Sequence, residues 1–199
     1  NKLDFSPIER LGEIKKYEDS SRKEILERVK NQDIVITKEL LLDRELIEQF
    51  PPCVKLICEA GTGYNNIDIT AAKEKNITVC NIPGYSTEAV AQLVITFILS
   101  LCSSLSQQQR MIENKNYDNF TKHLQLPHFE IRGKSLGVIG AGAIGRQVIK
   151  VARVLGMDIL VYSRTIKDLG DPGIKFVSLE ELLRKSDFVT LHCPLTPET

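Results

Sequence analysis

Leu136-Gly137-Val138-Ile139-Gly140-Ala141-Gly142-Ala143-Ile144-Gly145-Arg146 is the stretch on which the fold turns. Its glycines spell G-x-G-x-x-G at 140, 142 and 145. The pattern alone is weak, so its surroundings decide. Apolar residues 136–139 fit a buried strand, and Ile144, Val148, Val151 and Leu155 recur at the spacing of an amphipathic helix. Gly156 ends that helix, and residues 158–162 read as a second strand. Strand, glycine turn, helix and strand form the context in which the pattern marks dinucleotide binding.

Each glycine has its own task there. Gly140 permits the tight turn, Gly142 lets a pyrophosphate approach the main chain, and Gly145 lets the helix pack close to the strand. The amides around Gly142, Ala143 and Ile144 fall in the first helical turn. Free N–H groups and a partial positive charge at that end suit phosphate oxygens. The bland alternative is a glycine-rich turn that holds no ligand.

The end of the second strand bears on the choice of dinucleotide. In NAD-binding domains an acid about 20 residues past the glycines accepts from the ribose 2′-hydroxyl. Ser163-Arg164-Thr165 stands there instead, offering hydroxyls and a guanidinium. An Arg pairs with a 2′-phosphate, which a carboxylate would repel. NADP(H) is therefore expected over NAD(H); the alternative is a solvated Arg164 and use of both.

The 199-residue chain is 42% apolar and 26% charged, which permits one or two globular domains. Twenty-six basic residues balance 26 acidic ones, so charge favours neither nucleic acid nor an anionic membrane as partner. No signal peptide is recognisable, and the first residue is not Met. The five cysteines (Cys53, Cys58, Cys80, Cys102, Cys193) include no C-x-x-C, and most sit in apolar runs. Buried, reduced thiols and no metal site are expected, as in a cytoplasmic protein.

Before the glycine turn, helices and strands alternate. Helices are predicted near Ser6-Pro7, over 20–30, after Asp43 and after Asp68; strands are predicted over 33–37, 54–58 and 77–80, with an edge strand over 13–17. This alternation implies a parallel α/β sheet. The order begins with a helix, which implies a further strand upstream. Gly61-Thr62-Gly63-Tyr64 follows a strand end, where open α/β sheets bind ligands. Its amides could form an anion nest for a substrate carboxylate, or the glycines could simply serve a left-handed turn.

Residues 89–102 are the most apolar run, too short to span a bilayer. A long helix starting near Ser86 and buried on most sides is predicted, at a domain interface or against a partner subunit, the alternative being a helix sandwiched inside one domain. Residues 114–133 are polar and irregular, and His123 and His128 there are expected at the surface. After Asp171-Pro172-Gly173, Ser178 with Glu181 reads as a capping box, and 187–191 as a further strand running into His192-Cys193-Pro194.

Four segments in order resemble the D-isomer-specific 2-hydroxyacid dehydrogenase family. They are Gly61-Thr62-Gly63-Tyr64-Asn65-Asn66-Ile67-Asp68, the run from Asn81-Ile82-Pro83-Gly84-Tyr85-Ser86 to Gln92, Gly133-Lys134-Ser135-Leu136-Gly137-Val138-Ile139-Gly140, and Leu191-His192-Cys193-Pro194-Leu195-Thr196-Pro197-Glu198-Thr199. The resemblance implies an α/β protein: a flavodoxin-like substrate domain followed by the first half of a Rossmann doubly wound parallel sheet. It divides the chain into 1–90, the N-terminal part of the substrate domain, and 91–199, an incomplete dinucleotide domain, with a linking helix over about 86–112. A homodimer through that helix is implied.

The resemblance also implies roles. Gly61, Thr62 and Gly63 would hold the substrate carboxylate, and Gly140, Gly142, Ala143, Ile144 and Gly145 the pyrophosphate. Ser163, Arg164 and Thr165 would meet the adenosine ribose, with Cys193 and Pro194 along the same half, and Thr87 and Glu88 near the nicotinamide. The family's Arg, Glu and His, which orient substrate and move the proton, are expected beyond Thr199, so none is assigned here, and residues 1–199 by themselves are expected to be inactive. His192 would contact cofactor rather than transfer a proton. The implied activity is hydride transfer between NAD(P)H and a small 2-oxo or D-2-hydroxy acid of the hydroxypyruvate, glyoxylate, glycerate or phosphoglycerate class. Gln92 and Ser163 point toward the hydroxypyruvate and glyoxylate reductases. The alternative is a non-catalytic, dinucleotide-sensing, corepressor-like protein.

Overall fold

A computed structural model describes residues 4–164, 170–196 and 199. The chain forms two compact units, 1–81 and 82–199, a division nine residues ahead of the boundary expected at 90.

The first unit carries α1 (Ser6–Glu9), α2 (Arg22–Arg28), β1 (Ile34–Thr37), α3 (Arg44–Glu48), β2 (Leu56–Glu59), α4 (Ile69–Glu74) and β3 (Thr78–Cys80). The strands form a parallel sheet in the order β1-β2-β3, with Ile34 opposite Leu56 and Cys58 opposite Cys80. Local chemistry sets the helix starts. Ser21 and Glu24 make a reciprocal capping box, Asp43 accepts from the Leu46 amide (3.0 Å), and Asp68 accepts from the Ala71 amide (2.8 Å). Each such cap contributes about 1 kcal/mol. Leu42, Leu46, Ile47, Phe50, Val54, Ile57, Ala71 and Ala72 fill the core behind the sheet.

The edge strand expected over 13–17 is not formed. Its side chains are engaged by neighbouring helices instead. Lys16 pairs with Glu9 (2.7 Å) and lies over the Phe5 ring, and Arg28 stacks on Tyr17.

The second unit carries α5 (Thr87–Cys102), α6 (Leu105–Glu113), α7 (Asp118–Thr121), β4 (Ser135–Ile139), α8 (Ala143–Val154), β5 (Asp158–Tyr162), β6 (Ile174–Phe176), α9 (Leu179–Lys185) and β7 (Phe188–Leu191). Its four strands are parallel in the order β6-β5-β4-β7. The first strand is central, the next two build to one side, and the fourth returns to the other. That order is the first part of a doubly wound dinucleotide sheet, with its switch point between β4 and β7. Helices cover both faces. Leu136 and Val138 share a core with Val148 and Ala152 of α8 and with Ile95 and Ile98 of α5. On the other face a Cβ at Gly137 would meet Leu182 and Ser186 at 2.5 and 2.4 Å, so α9 sits directly on that glycine.

The linking helix expected over 86–112 is two helices meeting at a 65° bend. Ser104 adopts a left-handed backbone (φ 50°), and its buried hydroxyl donates to the Pro127 carbonyl at 2.7 Å. Within the chain α5 buries one side only, so it is not sandwiched inside its own unit. Ala91, Ile95, Ile98 and Cys102 face the core, while Leu93, Phe97 and Leu101 are exposed. No single described helix is long and apolar enough to cross a membrane, although α5 and α6 together pass that test by length and composition.

Candidate functional site

The second unit brings three loop segments together at the carboxyl ends of β5, β4 and β7. The Gly140 amide donates to the Tyr162 carbonyl (2.8 Å), which sets the glycine turn beside Ser163 and Arg164. The His192 amide donates to the Ile139 carbonyl (2.7 Å), which sets His192-Cys193-Pro194 against its other side. Gly140 has φ +97°, and a Cβ there would lie 2.7 Å from the His192 carbonyl oxygen. Any side chain would therefore be both strained and colliding. Gly145 is more constrained still, since a Cβ would come within 2.1 Å of the Gly140 carbonyl oxygen. It lets the first turn of α8 sit on the loop that precedes it.

Gly142 is different. It caps α8 in extended backbone (φ −72°, ψ −165°), and a Cβ there would meet nothing within 4 Å. The space over Gly142 is thus kept open although the fold itself does not need it open. Gly142 and Ala143 are exposed, and Ile144 is half-buried. No side chain caps α8, whose first-turn amides point into that space. These are the features a dinucleotide pyrophosphate requires: an approachable backbone, unoccupied donors and the positive end of a 12-residue helix. The chain fits a dinucleotide at this turn.

Thr87 and Glu88 begin α5, which packs along α8. The Gln147 side-chain amide donates to the Glu88 carboxylate at 2.6 Å and ties the two helix starts. Gln147 carried no motif in the sequence; only the packing of α5 on α8 identifies it. Ser163 is half-buried and Arg164 exposed, while Thr165 lies outside the described residues. His192 is half-buried, with Nε2 3.0 Å from the Thr190 hydroxyl, and burial lowers its pKa. His123 and His128 are both exposed, as expected, and distant in sequence from this edge. Along α8 an open cleft of about 420 Å³ is lined by Arg146, Lys150, Arg153 and Asp171. Arg153 pairs with Asp171 at 3.0 Å and holds its carboxyl below the usual range.

The first unit positions Gly61, Thr62 and Gly63 at the carboxyl end of β2. Neither glycine has a positive φ, which removes the left-handed turn as their reason. A Cβ at Gly61 would come within 3.0 Å of Glu59 Oε1, whereas a Cβ at Gly63 would meet nothing within 4 Å. Glu59 is 1% exposed. Its carboxylate accepts from the Glu39 amide (3.2 Å) and from Asn66 Nδ2 (2.8 Å). Asn81 Nδ2 donates to the Thr62 carbonyl (2.7 Å). Glu59, Asn66 and Asn81 brace this loop from within. The sequence displayed all three without assigning them a task. The signal in Glu59 was an acid at an inward position of a buried strand.

The cysteines depart from expectation. All five are free thiols, but only Cys102 is buried; Cys53, Cys58 and Cys193 are half-buried and Cys80 is exposed. Cys80 sits on the edge strand β3, where one face lacks a cover. Among the described residues no group of three His, Cys, Asp or Glu could hold a metal ion.

Residues 95–199 match the family described as "D-isomer specific 2-hydroxyacid dehydrogenase, NAD binding domain". The chain is 36% identical over 203 residues to a hydroxypyruvate reductase of Blautia hydrogenotrophica, covering 99% of this chain and 63% of that protein. It is 35% identical over 201 residues to a glyoxylate reductase of Thermococcus litoralis, covering 96% and 60% respectively. Among solved structures it is similar to an acyclic imino acid reductase in complex with NADPH and D-Arg, with a TM-score of 0.85, 28% identity, and coverage of 98% and 62%. The chain thus spans about three fifths of the length of these relatives.

Proposed function

The chain belongs to the D-isomer specific 2-hydroxyacid dehydrogenase family, and from that premise we propose that it serves hydride transfer between NADP(H) and a small 2-oxo or D-2-hydroxy acid. The observation that carries the proposal is Gly142, a glycine kept open at a helix N-terminus between two glycines that the fold demands. The amides of Gly142, Ala143 and Ile144 hold the pyrophosphate. Ser163 and Arg164 receive the 2′-phosphate of the adenosine ribose, where an acid would repel it. Thr165 shares that role. Cys193 and Pro194 line the adenosine half, and Thr87 and Glu88 the nicotinamide end, with Gln147 fixing Glu88. Once bound, the nicotinamide supplies a hydride to, or accepts one from, the substrate's C2 carbon.

Gly61, Thr62 and Gly63 hold the substrate carboxylate through their main chain. Glu59 and Asn81 keep that backbone in place, and the open position at Gly63 admits the anion. We assign proton transfer to none of the described side chains. His192 is held by its amide to Ile139 and lies beside Thr190, so its place is at the cofactor's edge. Hydroxypyruvate and glyoxylate are the favoured substrates, given the names of the two relatives above. The exposed Leu93, Phe97 and Leu101 of α5 form the contact of a homodimer, and the free thiols suit the cytoplasm.

Steady-state kinetics of the full-length protein with hydroxypyruvate and glyoxylate, each with NADPH and NADH, test the proposal. A lower KM for NADPH is expected, and Arg164→Ala narrows the gap. A clear NADH preference overturns the cofactor assignment. Dinucleotide binding without turnover of any 2-oxo acid favours the dinucleotide-sensing alternative.

A further inference from the structure

Cys58 and Cys80 are directly opposed on neighbouring parallel strands, and their sulfurs lie 3.4 Å apart. Paired residues on adjacent strands have main chains within disulfide range, and the bond requires the sulfurs to close to about 2.05 Å. Each cysteine also immediately precedes a residue that braces the glycine loop. Cys58 precedes Glu59, whose carboxylate holds Glu39 and Asn66, and Cys80 precedes Asn81, which holds the Thr62 carbonyl. We propose that Cys58 and Cys80 are a reversible thiol–disulfide pair, oxidised by hydrogen peroxide, whose closure loosens the loop 61–63. The second part rests on the proposed role of that loop in holding substrate.

The two sulfurs divide the work by exposure. Cys80 is exposed on the edge strand and borders a recess of about 100 Å³ with Tyr64, Ile69, Val79 and Asn81, large enough to admit a peroxide. Cys58 is half-buried, and burial, aided by Cys80, pushes its thiol up to about 11. The Cys80 thiolate attacks one peroxide oxygen. The O–O bond breaks, the departing hydroxide takes a proton to become water, and Cys80 is left as a sulfenic acid. The Cys58 sulfur then attacks the Cys80 sulfur. The S–O bond breaks, and the hydroxide leaves as water with the Cys58 proton. Two thiols have lost two electrons, and one peroxide has become two waters. A dithiol reverses the reaction by exchange. Joining directly opposed residues strains the bridge, and strained, accessible bridges are the labile ones.

The reduced chain is treated with hydrogen peroxide, digested without reductant and mapped by mass. The expected result is a loss of about 2 Da, a peptide linking Cys58 to Cys80, and recovery with dithiothreitol. The KM for hydroxypyruvate is expected to rise about two- to tenfold on oxidation, the loss of roughly one hydrogen bond's restraint. Cys80→Ser and Cys58→Ser each abolish link and KM shift. Cys80 recovered as sulfinic acid, linked elsewhere or unmodified overturns the pair, and the map is made on the unsubstituted chain. A link with unchanged KM overturns the coupling to the loop. Absence of turnover in the reduced full-length protein refutes the proposed function instead. The map then still decides the pair. Amide exchange over 61–64, faster in the oxidised chain or identical in both, decides the coupling.

Discussion

The glycine turn after β4 and the glycine loop after β2 look alike in sequence, yet they are built differently. Each lies at the carboxyl end of a parallel strand; the first holds two crowded glycines and an open one, the second one of each. After β4 the crowding neighbours are backbone: the Gly140 carbonyl at 2.1 Å from a Cβ at Gly145, and the His192 carbonyl at 2.7 Å from one at Gly140. After β2 the neighbour is a side chain, Glu59, at 3.0 Å from a Cβ at Gly61. A positive φ occurs in the first and not in the second. The first is a rigid device made by topology, able to serve any dinucleotide of the same backbone. The second is braced by replaceable side chains, so its shape is adjustable, which accords with the substrate-binding role proposed for it.

Substitutions at the crowded glycines should separate the two most sharply. Gly145→Ala places a methyl on a backbone carbonyl that cannot turn aside, and should cost about 3 kcal/mol or more, the upper range for overpacking. Gly61→Ala presses only on the Glu59 side chain and should cost less. Thermal unfolding of both variants checks the order, and equal losses would erase the distinction. Glu59→Gln then probes the brace itself. It keeps the volume but turns a donor toward the Glu39 amide or the Asn66 side chain. The expected loss is about 1–3 kcal/mol, the cost of a buried polar group left unsatisfied, together with a raised KM for hydroxypyruvate.

That difference also explains how much the sequence disclosed. The strand, turn, helix and strand around Gly140 were legible because backbone geometry there demands glycine at fixed spacing, and apolar periods marked Leu136 to Tyr162 on either side. The loop after β2 was legible in place but not in construction. Its glycines left an anion nest and a left-handed turn open; neither has a positive φ, and Gly61 is crowded by Glu59, a tertiary contact that no local pattern encodes. The β6 strand escaped notice because three residues are too few for an alternation to register. The break in the linking helix turns on Ser104, whose hydroxyl bonds to Pro127 far along the chain. The face of α5 carrying Leu93, Phe97 and Leu101 is exposed within the chain, because apolar composition tells that a face needs cover and not which element or subunit supplies it.

Two smaller effects refine the comparison. Gly63→Ala meets nothing in the fold, so stability should stay within about 0.5 kcal/mol, as for ordinary surface changes. The KM for the 2-oxo acid should rise, because the added methyl occupies the carboxylate's approach. At the other edge, burial lowers the pKa of His192 below its usual 6.5. Protonation therefore favours the unfolded chain, so the stability present above pH 6.5 declines as pH falls through that value toward the folded pKa. His192→Gln should flatten this slope in denaturant titrations between pH 7.5 and 5; an unchanged slope would mean the titrating group lies elsewhere.

Gly142→Ala, followed by fluorescence titration with NADPH and by thermal unfolding, bears most directly on the central claim. The account predicts an unchanged melting temperature, since a methyl there touches nothing, and an affinity lowered by about tenfold or more as the pyrophosphate loses its approach to the amides. A variant that binds NADPH as tightly as the original would contradict it.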